Sequence, residues 1–138
     1  MSLKGASTNP LDDKNRVSLS TKYRKQLEDL KLVLVKAKTK GLKHLMLFTE
    51  AGYQDYIDAY FKKNGEFDWS DDDDVQLMFQ MQEASEDVSI DASYRIRITD
   101  DLKKYAGFDK EIHFTGMRDC VFLTTPEVAE QLRGGKFE

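Results

Sequence analysis

An aspartate stands four residues before an arginine at two places in this chain of 138 residues, as Asp12 with Arg16 and as Asp91 with Arg95. A carboxylate at the start of a tight turn can accept hydrogen bonds from the turn amides while it pairs with a guanidinium. Such a pair would fix the turn and direct neighbouring cations outward, where they can bind phosphate oxygens or the acceptor edge of guanine. The alternative is that each pair only holds its own hairpin together.

The two pairs belong to a longer internal repeat. Residues 12–20 return 79 positions later as residues 91–99, with the Asp, the Arg and the apolar residues in register. Residues 41–49 match residues 116–124 at an offset of 75, so the second copy is four residues shorter between the blocks. Two ordered matches indicate a duplicated module. We expect two similar halves about a pseudo-two-fold axis, which suits a symmetric target or a ring better than a single catalytic cleft.

The pattern of apolar and turn residues predicts an α+β, β-rich chain in which each half runs strand, strand, helix, strand, strand, helix. In the first half we expect a hairpin of residues 3–9 with 16–19 and a helix from Ser20 or Thr21 to about Leu30. A second hairpin follows, of residues 32–35 with 45–48. A helix over residues 50–63 then stops at Asn64 and Gly65.

The second half repeats this order. Residues 88–91 lead into a strand over 95–98, and a helix capped by Thr99 or Asp100 ends at Gly107. Strands over 111–115 and 120–124 form its second hairpin, and a last helix begins at Thr125 and Pro126 and ends at Gly134 and Gly135. The corresponding domains are a first repeat over 1–65, an acidic connection over 66–84 and a second repeat over 85–138.

The acidic connection contains Ser70 followed by four aspartates, residues 71–74. A cap with an acid-rich first turn favours a helix over about 71–81, because the helix dipole stabilises negative charge at its N-terminus. A divalent-metal site is the alternative. Consecutive carboxylates on a helix point in different directions, and the spaced ligands of a calcium loop are missing, so we expect no metal.

Composition limits the other classes of function. No run approaches the roughly 20 apolar residues of a membrane helix, and the N-terminus lacks the apolar run of a signal peptide, so we expect a cytoplasmic protein with no membrane partner. Residues 1–50 carry a net charge of +6 and residues 51–138 a net charge of −10, which suggests one end facing a polyanion. An ordinary solvated surface is the alternative.

No catalytic constellation can be read from the sequence. His44 and His113 do not occupy matched repeat positions, and we expect each to be a strand residue with a local hydrogen bond. Cys120 lies in an apolar run, which predicts a small buried side chain and not a reactive thiol. We therefore expect no enzyme activity, no cofactor and no small-molecule substrate.

Residues 5–24, residues 91–98 and residues 105–111 together resemble the MraZ family of bacterial transcription regulators. The resemblance covers nearly the whole chain and is weakest from about 64 to 84. It implies two fused copies of the swapped-hairpin fold of AbrB and SpoVT, assembled into rings in the nucleoid. It also implies binding to repeated promoter sequences in double-stranded DNA and repression of division and cell-wall genes.

The resemblance and the charge pattern together give the candidate site. Asp12 and Asp91 would structure the two turns. The expected DNA-binding residues are Lys4, Lys14, Arg16, Lys22, Arg24, Arg95 and Arg97. We expect the first copy to bind more strongly, because it lies in the basic half, whereas Arg95 and Arg97 stand among acidic neighbours in the sequence.

The chain departs from the family pattern at the turns. Asn15 and Tyr94 stand where the family usually has Gly, and Ser20 and Thr99 where it usually has Pro. The late Trp of the family, near Leu123, is also absent. Asn tolerates a left-handed backbone, whereas Tyr there would be strained, so an altered second turn is expected. The leading interpretation is a DNA-binding regulator; a protein-interaction or antitoxin-like module on the same fold is the alternative.

Overall fold

The computed structural model describes residues 2–61 and 65–134, and these form the mixed α+β chain that the sequence predicts. The strands are β1 (Ala6–Pro10), β2 (Arg16–Ser18), β3 (Leu32–Thr39), β4 (Leu42–Thr49), β5 (Ser85–Val88), β6 (Arg95–Arg97), β7 (Glu111–Gly116) and β8 (Val121–Thr124). The helices are α1 (Thr21–Leu27), α2 (Glu50–Phe61), α3 (Asp72–Glu83), α4 (Asp100–Ala106) and α5 (Pro126–Arg133). None of the described helices is both long and apolar enough to cross a membrane.

Six strands form one antiparallel sheet in the order β1-β7-β8-β4-β3-β5. The predicted hairpins β3–β4 and β7–β8 are confirmed and occupy the middle of this sheet. The first strand of each half lies at an edge beside the hairpin of the other half, β1 on β7 and β5 on β3. The counterparts in the two halves are β1 and β5, β3 and β7, and β4 and β8. When each strand is replaced by its counterpart, the order read from one edge becomes the order read from the other edge.

The remaining two strands, β2 and β6, form a separate antiparallel pair that joins the two halves. The predicted hairpin of the first strand with the second is therefore wrong. The β1 and β2 strands share a single bridge, between Leu11 and Val17, because their ladders form with strands of the second half. Nothing in the local sequence distinguishes a strand that pairs with its neighbour from one whose partner residues lie far along the chain, as Val17 and Ile96 do.

The six-stranded sheet is covered on both faces. Along β3, Leu32 and Leu34 face one apolar cluster while Val33 and Val35 face another, as the two-residue period of a strand requires. The first cluster also contains residues of β2, β6, α1 and α4, and therefore draws on both halves. The second lies beneath α2 and α3.

Helix starts follow the predicted caps. The hydroxyl groups of Ser20, Thr99 and Thr125 accept hydrogen bonds from backbone amides of the first turns of α1, α4 and α5. In α3 the cap is Asp71 and not Ser70, and the helix extends two residues beyond its expected end. An aspartate carboxylate can accept both the Asp73 and the Asp74 amide, which the preceding serine is not placed to do.

The helix ends were predicted less well. The first helix ends at Leu27, three residues before expected, because Leu30 is exposed and Glu28 and Asp29 are unfavourable at the negative end of the helix dipole. Gly107 and Gly134 end α4 and α5 in the left-handed conformation, as expected of C-terminal glycines. The predicted end at Lys63 and Asn64, and the predicted role of Gly135, lie outside the described residues.

Candidate nucleic-acid interface

The first turn, between β1 and β2, is held by one carboxylate. Oδ1 of Asp12 accepts the backbone amides of Lys14 at 2.9 Å and of Arg16 at 2.8 Å. Oδ2 accepts Nε of the Arg16 guanidinium at 2.8 Å. The backbone closes the same turn, because the Asp12 amide donates to the Arg16 carbonyl at 2.9 Å. The guanidinium is therefore fixed through Nε, and its terminal nitrogens make no hydrogen bond to the described residues.

The second turn, between β5 and β6, repeats this geometry. Oδ1 of Asp91 accepts the amides of Ser93 at 2.8 Å and Arg95 at 2.9 Å, and Oδ2 accepts Nε of Arg95 at 3.0 Å. The expectation of an altered second turn is wrong. Tyr94 adopts φ 59°, close to the φ of 61° at Asn15, because the three hydrogen bonds to the carboxylate enforce the turn on both residue types.

The pKa values of both carboxyls are lowered from their ordinary value of 3.8. For Asp12 the largest cause is the backbone amide of Arg16, and for Asp91 it is the backbone amide of Arg95. The guanidinium of each pair lowers the pKa further through its hydrogen bond and its charge. Each turn is thus stabilised in the ionised state of its aspartate.

The strand pair β2–β6 presents three arginines on one face. Val17 and Ile96 lie opposite each other and are buried in the first cluster, so the residues on either side of them point away from it. Arg16 is the register partner of Arg97, and Arg95 is the partner of Ser18. We call the face formed by Arg16, Ser18, Arg95 and Arg97 the arginine face.

Each turn is contacted by a helix of the other half, the first turn by α4 and the second by α1. Asn15 of the first turn donates to Asp100 of α4 at 2.8 Å and accepts from Lys103 of α4 at 3.2 Å. At the second turn, Arg24 of α1 lies over the ring of Tyr94, with its Cζ 4.7 Å from the ring centroid. The Tyr94 carbonyl also accepts the Leu19 amide at 2.8 Å, directly before α1.

This exchange corrects the expectation that the first copy gathers the basic residues. The basic helix α1 flanks the second turn, and the acidic start of α4 flanks the first. The position of Arg24 in the sequence predicts that it lies with Arg16, whereas the structure brings it to Tyr94. Lys103 is not among the predicted residues, although it follows Arg24 by the same 79 positions that separate the two turns, which is the signal that could have identified it.

The other predicted lysines are distributed unevenly. Lys14 is exposed at the tip of the first turn, next to Arg16. Lys22 donates from Nζ to the Ala6 carbonyl at 2.8 Å, which places its charge at the start of β1. Lys4 is exposed, but the five residues of β1 separate it from the first turn by ~16 Å at the rise of an extended strand. Lys4 is therefore not part of the arginine face.

The histidines and the cysteine are placed as structural residues. His44 is buried, bonds Thr39 and stacks on Phe122 with the ring centroids 4.3 Å apart, and burial lowers its pKa below 6.5. His113 is within 2.7 Å of the Thr8 hydroxyl, and its pKa is also lowered by burial. Burial raises the pKa of the Cys120 thiol to about 11, which disfavours the reactive thiolate.

The run of aspartates forms the N-terminus of α3. Asp71 uses its carboxylate to cap the helix, and the next three residues occupy the first turn. Within residues 2–61 and 65–134 no group of three or more His, Cys, Asp or Glu side chains is arranged to hold a metal ion. The side chains that this region does offer to a ligand are therefore carboxylates in a solvated helical turn.

The chemistry available at the arginine face is the binding of a polyanion. The guanidinium groups of Arg16 and Arg95 are fixed through Nε, which leaves their planar pairs of terminal N–H donors for phosphate oxygens and guanine edges. Arg16 and Arg97 are like charges placed directly opposite each other, which is unfavourable unless an anion lies between them.

Two comparisons with known proteins show what this chain is similar to. Residues 2–74 match the family described as "MraZ protein, putative antitoxin-like". Over 120 residues the chain is 28% identical to a protein of Treponema denticola named Transcriptional regulator MraZ. That match covers 86% of this chain and 78% of the relative.

Proposed function

The chain belongs to the MraZ family, and from this premise we propose that it is a transcription regulator that binds double-stranded DNA in a sequence-specific manner. The observation that carries the proposal is the arginine face, in which two clamped turns and a buried Val17–Ile96 pair hold three arginines outward. A regulator needs both charge and fixed geometry, because phosphate contacts position the protein while base contacts specify the sequence.

The finer parts of the proposal concern organisation. We propose that residues 1–65 and 85–138 are two copies of a swapped-hairpin unit joined by residues 66–84, and that several subunits form a ring. Each subunit then presents one arginine face, and the linked faces bind repeated promoter elements more tightly than one face alone. Repression of division and cell-wall genes in the nucleoid is the role that we propose for such an assembly.

The first experiment replaces one arginine of the face by the residue that already occupies the matching position. Arg97 corresponds to Ser18 under the symmetry of β2 and β6, so Arg97→Ser gives both strands the pattern Arg-apolar-Ser. We expect this variant to keep its thermal stability and to bind a duplex selected from random sequences about tenfold or more weakly, because a phosphate or base contact is lost. Fluorescence anisotropy measures the affinity, and a thermal melt measures the stability.

The matched control is Arg133→Ser. Arg133 lies on α5 and lines a cavity with Phe122, which belongs to the cluster on the other face of the sheet. It removes the same charge at a distance from the arginine face, so the affinity should change by less than twofold at physiological salt. Equal losses in the two variants would show that net charge, and not the arginine face, governs binding.

Salt gives a second measure of the same contact. If three engaged subunits make roughly 6 to 9 phosphate contacts, log K falls against log salt with a slope of about −5 to −8. The slope should become shallower in Arg97→Ser, and the affinity should fall when a repeated site is cut to one copy. A slope near −1 would contradict the proposal.

A protein-interaction or antitoxin-like module is the second candidate, and one observation favours it. Trp69, shortly before α3, is 78% exposed, and Phe79, within α3, is 63% exposed, which is unusual for large apolar side chains in an isolated subunit. A partner that binds with unchanged affinity in Arg97→Ser and loses affinity in Phe79→Ser would support this candidate.

A further inference from the structure

The two turns expose different side chains on the same backbone. At the first turn, Asn15 is bound on both sides, by Asp100 and by Lys103, and the two charges offset each other. At the second turn, Tyr94 is 37% exposed, and the guanidinium of Arg24 lies over its ring. The first turn is therefore closed by an internal network, whereas the second presents an aromatic ring with a cation.

The conformation of Tyr94 is costly for its residue type. Its φ of 59° lies in the left-handed region, where the Cβ of a bulky residue meets the neighbouring carbonyl oxygen. Its amide and carbonyl are both used, in bonds to Asp91 and Leu19, so the backbone cannot relax without opening the turn. A glycine or an asparagine would satisfy the same backbone at lower strain. The side chain of Tyr94 therefore contributes nothing that the turn itself requires.

Arg24 is oriented by two contacts. Its Nε donates to the Leu19 carbonyl at 2.9 Å, and its Cζ lies over the Tyr94 ring, 4.7 Å from the centroid. Its terminal nitrogens make no hydrogen bond to residues 2–61 or 65–134. A guanidinium held through Nε and against a ring retains a planar pair of donors, which is the geometry that binds the acceptor edge of a base bidentately.

We propose that Tyr94 and Arg24 act together as a base-reading pair that gives the second turn a sequence preference which the first turn lacks. This inference rests on the proposed DNA binding. Arg24 donates to the base edge, and Tyr94 holds the guanidinium and offers its ring to the neighbouring base. The two halves of a subunit thus read DNA differently in spite of their symmetry.

The test uses Tyr94→Asn, which gives the second turn the residue of the first, in the full-length protein. The probe is a labelled 30-base-pair duplex that the unchanged protein selects from random sequences. We expect the melting temperature of the variant to stay equal or rise, since the strain is relieved, while the affinity for the selected duplex falls about tenfold. A purely structural tyrosine would lower the melting temperature and leave the affinity of the folded protein unchanged.

A second arm follows the sequence preference. Selections from random duplexes are repeated with Tyr94→Asn, Arg24→Gln and Asn15→Gly. The first two should lose the base preference at the same positions of the site, whereas Asn15→Gly, the matched control at the first turn, should keep it. If Arg24→Gln keeps the full base preference, the proposal of a base-reading pair is wrong.

The outcomes separate this inference from the proposed function. If the unchanged protein selects a duplex and Tyr94→Asn binds it with the same affinity and the same base preference, DNA binding stands and the base-reading pair fails. If the unchanged protein retains no duplex even at low salt, both fail.

Discussion

One carboxylate satisfies three donors at each turn, two backbone amides and one guanidinium nitrogen. A side chain with a single acceptor oxygen cannot do this, so aspartate is required by the geometry and not only by its charge. The same carboxylate leaves the terminal nitrogens of its arginine available. At the scale of the residue, the same carboxylate therefore stabilises the turn and orients the arginine.

We expect the carboxyls of Asp12 and Asp91 to titrate below 3.8, because the backbone amides favour their ionised form. Since the folded pKa is lowered, the stabilisation from each is fully present above pH 3.8 and is lost as the pH falls through the lowered value. A residue-resolved NMR titration of the side-chain carboxyls measures both values.

The cause of the shift can be separated by Arg16→Ala. This change removes the guanidinium but keeps the backbone amide that contributes most, so the pKa of Asp12 should rise only part of the way to 3.8. Asp91 serves as the internal control and should not move. A return of Asp12 to 3.8 would show that the guanidinium dominates the shift.

The Asp–Arg pairs could be predicted because both partners lie within four residues of each other. The bond of Asn15 to Asp100 could not, because its partners are 85 positions apart and only strand exchange brings them together. The stacking of Arg24 on Tyr94 was missed for the same reason. The residue types were visible in the sequence, whereas their pairing depended on the topology.

At the scale of the element, the docking of β1 depends on a close backbone approach. The amide of Gly116 donates to Gly5, and Leu3 and Arg118 bond each other's backbones. A Cβ at Gly116 would lie 2.5 Å from Lys4 Cα and 2.7 Å from the Leu3 carbonyl carbon. Only glycine therefore allows the chain before β1 to lie against the end of β7.

We expect Gly116→Ala to destabilise the fold by about 1–3 kcal/mol, because the backbone must shift to admit the methyl group. Urea denaturation measures the free energy of unfolding. Gly52→Ala is the control: its Cβ would come nearest to the Thr49 hydroxyl, at 3.2 Å, with its next neighbours at the ordinary contact distances of 3.5 Å and 3.6 Å, and alanine favours the helix α2. Equal losses at the two sites would contradict the role of the close approach.

Local chemistry predicts the caps of α1, α4 and α5 and the two central hairpins, since each depends on neighbouring residues. It did not predict the early end of α1, because the exposure of Leu30 is a property of the folded surface. The pairing of β1 with β7 in place of β2 likewise depends on contacts between the halves. Elements were thus predictable where their determinants are local.

At the scale of the whole molecule, the halves are interlaced. The first cluster draws residues from both, and four pairs of strands in the described residues, β1–β7, β2–β6, β3–β5 and β4–β8, cross from one half to the other. The duplication in the sequence predicted the symmetry. The exchange of edge strands is not encoded in any short segment, because either arrangement buries the same alternating residues.

We expect fragments 1–84 and 85–138 to lack cooperative unfolding when separate, because each leaves half of a shared cluster exposed. Mixed in equal amounts, they should recover the circular dichroism spectrum of the intact chain. Cooperative unfolding of either fragment alone would show that the halves are independent folding units.

The position of β1 at the sheet edge also sets when the protein can fold during its synthesis. Thr8 contacts His113, 105 residues further along the chain, and among the described strands β1 forms its ladder with β7. At a translation rate of roughly 5–20 residues per second, the N-terminal strand waits about 5–20 s for its partner to be made. During that interval β1 is an unpaired strand in a nascent chain, so the ribosome-bound form of this protein is the one with most need of a chaperone.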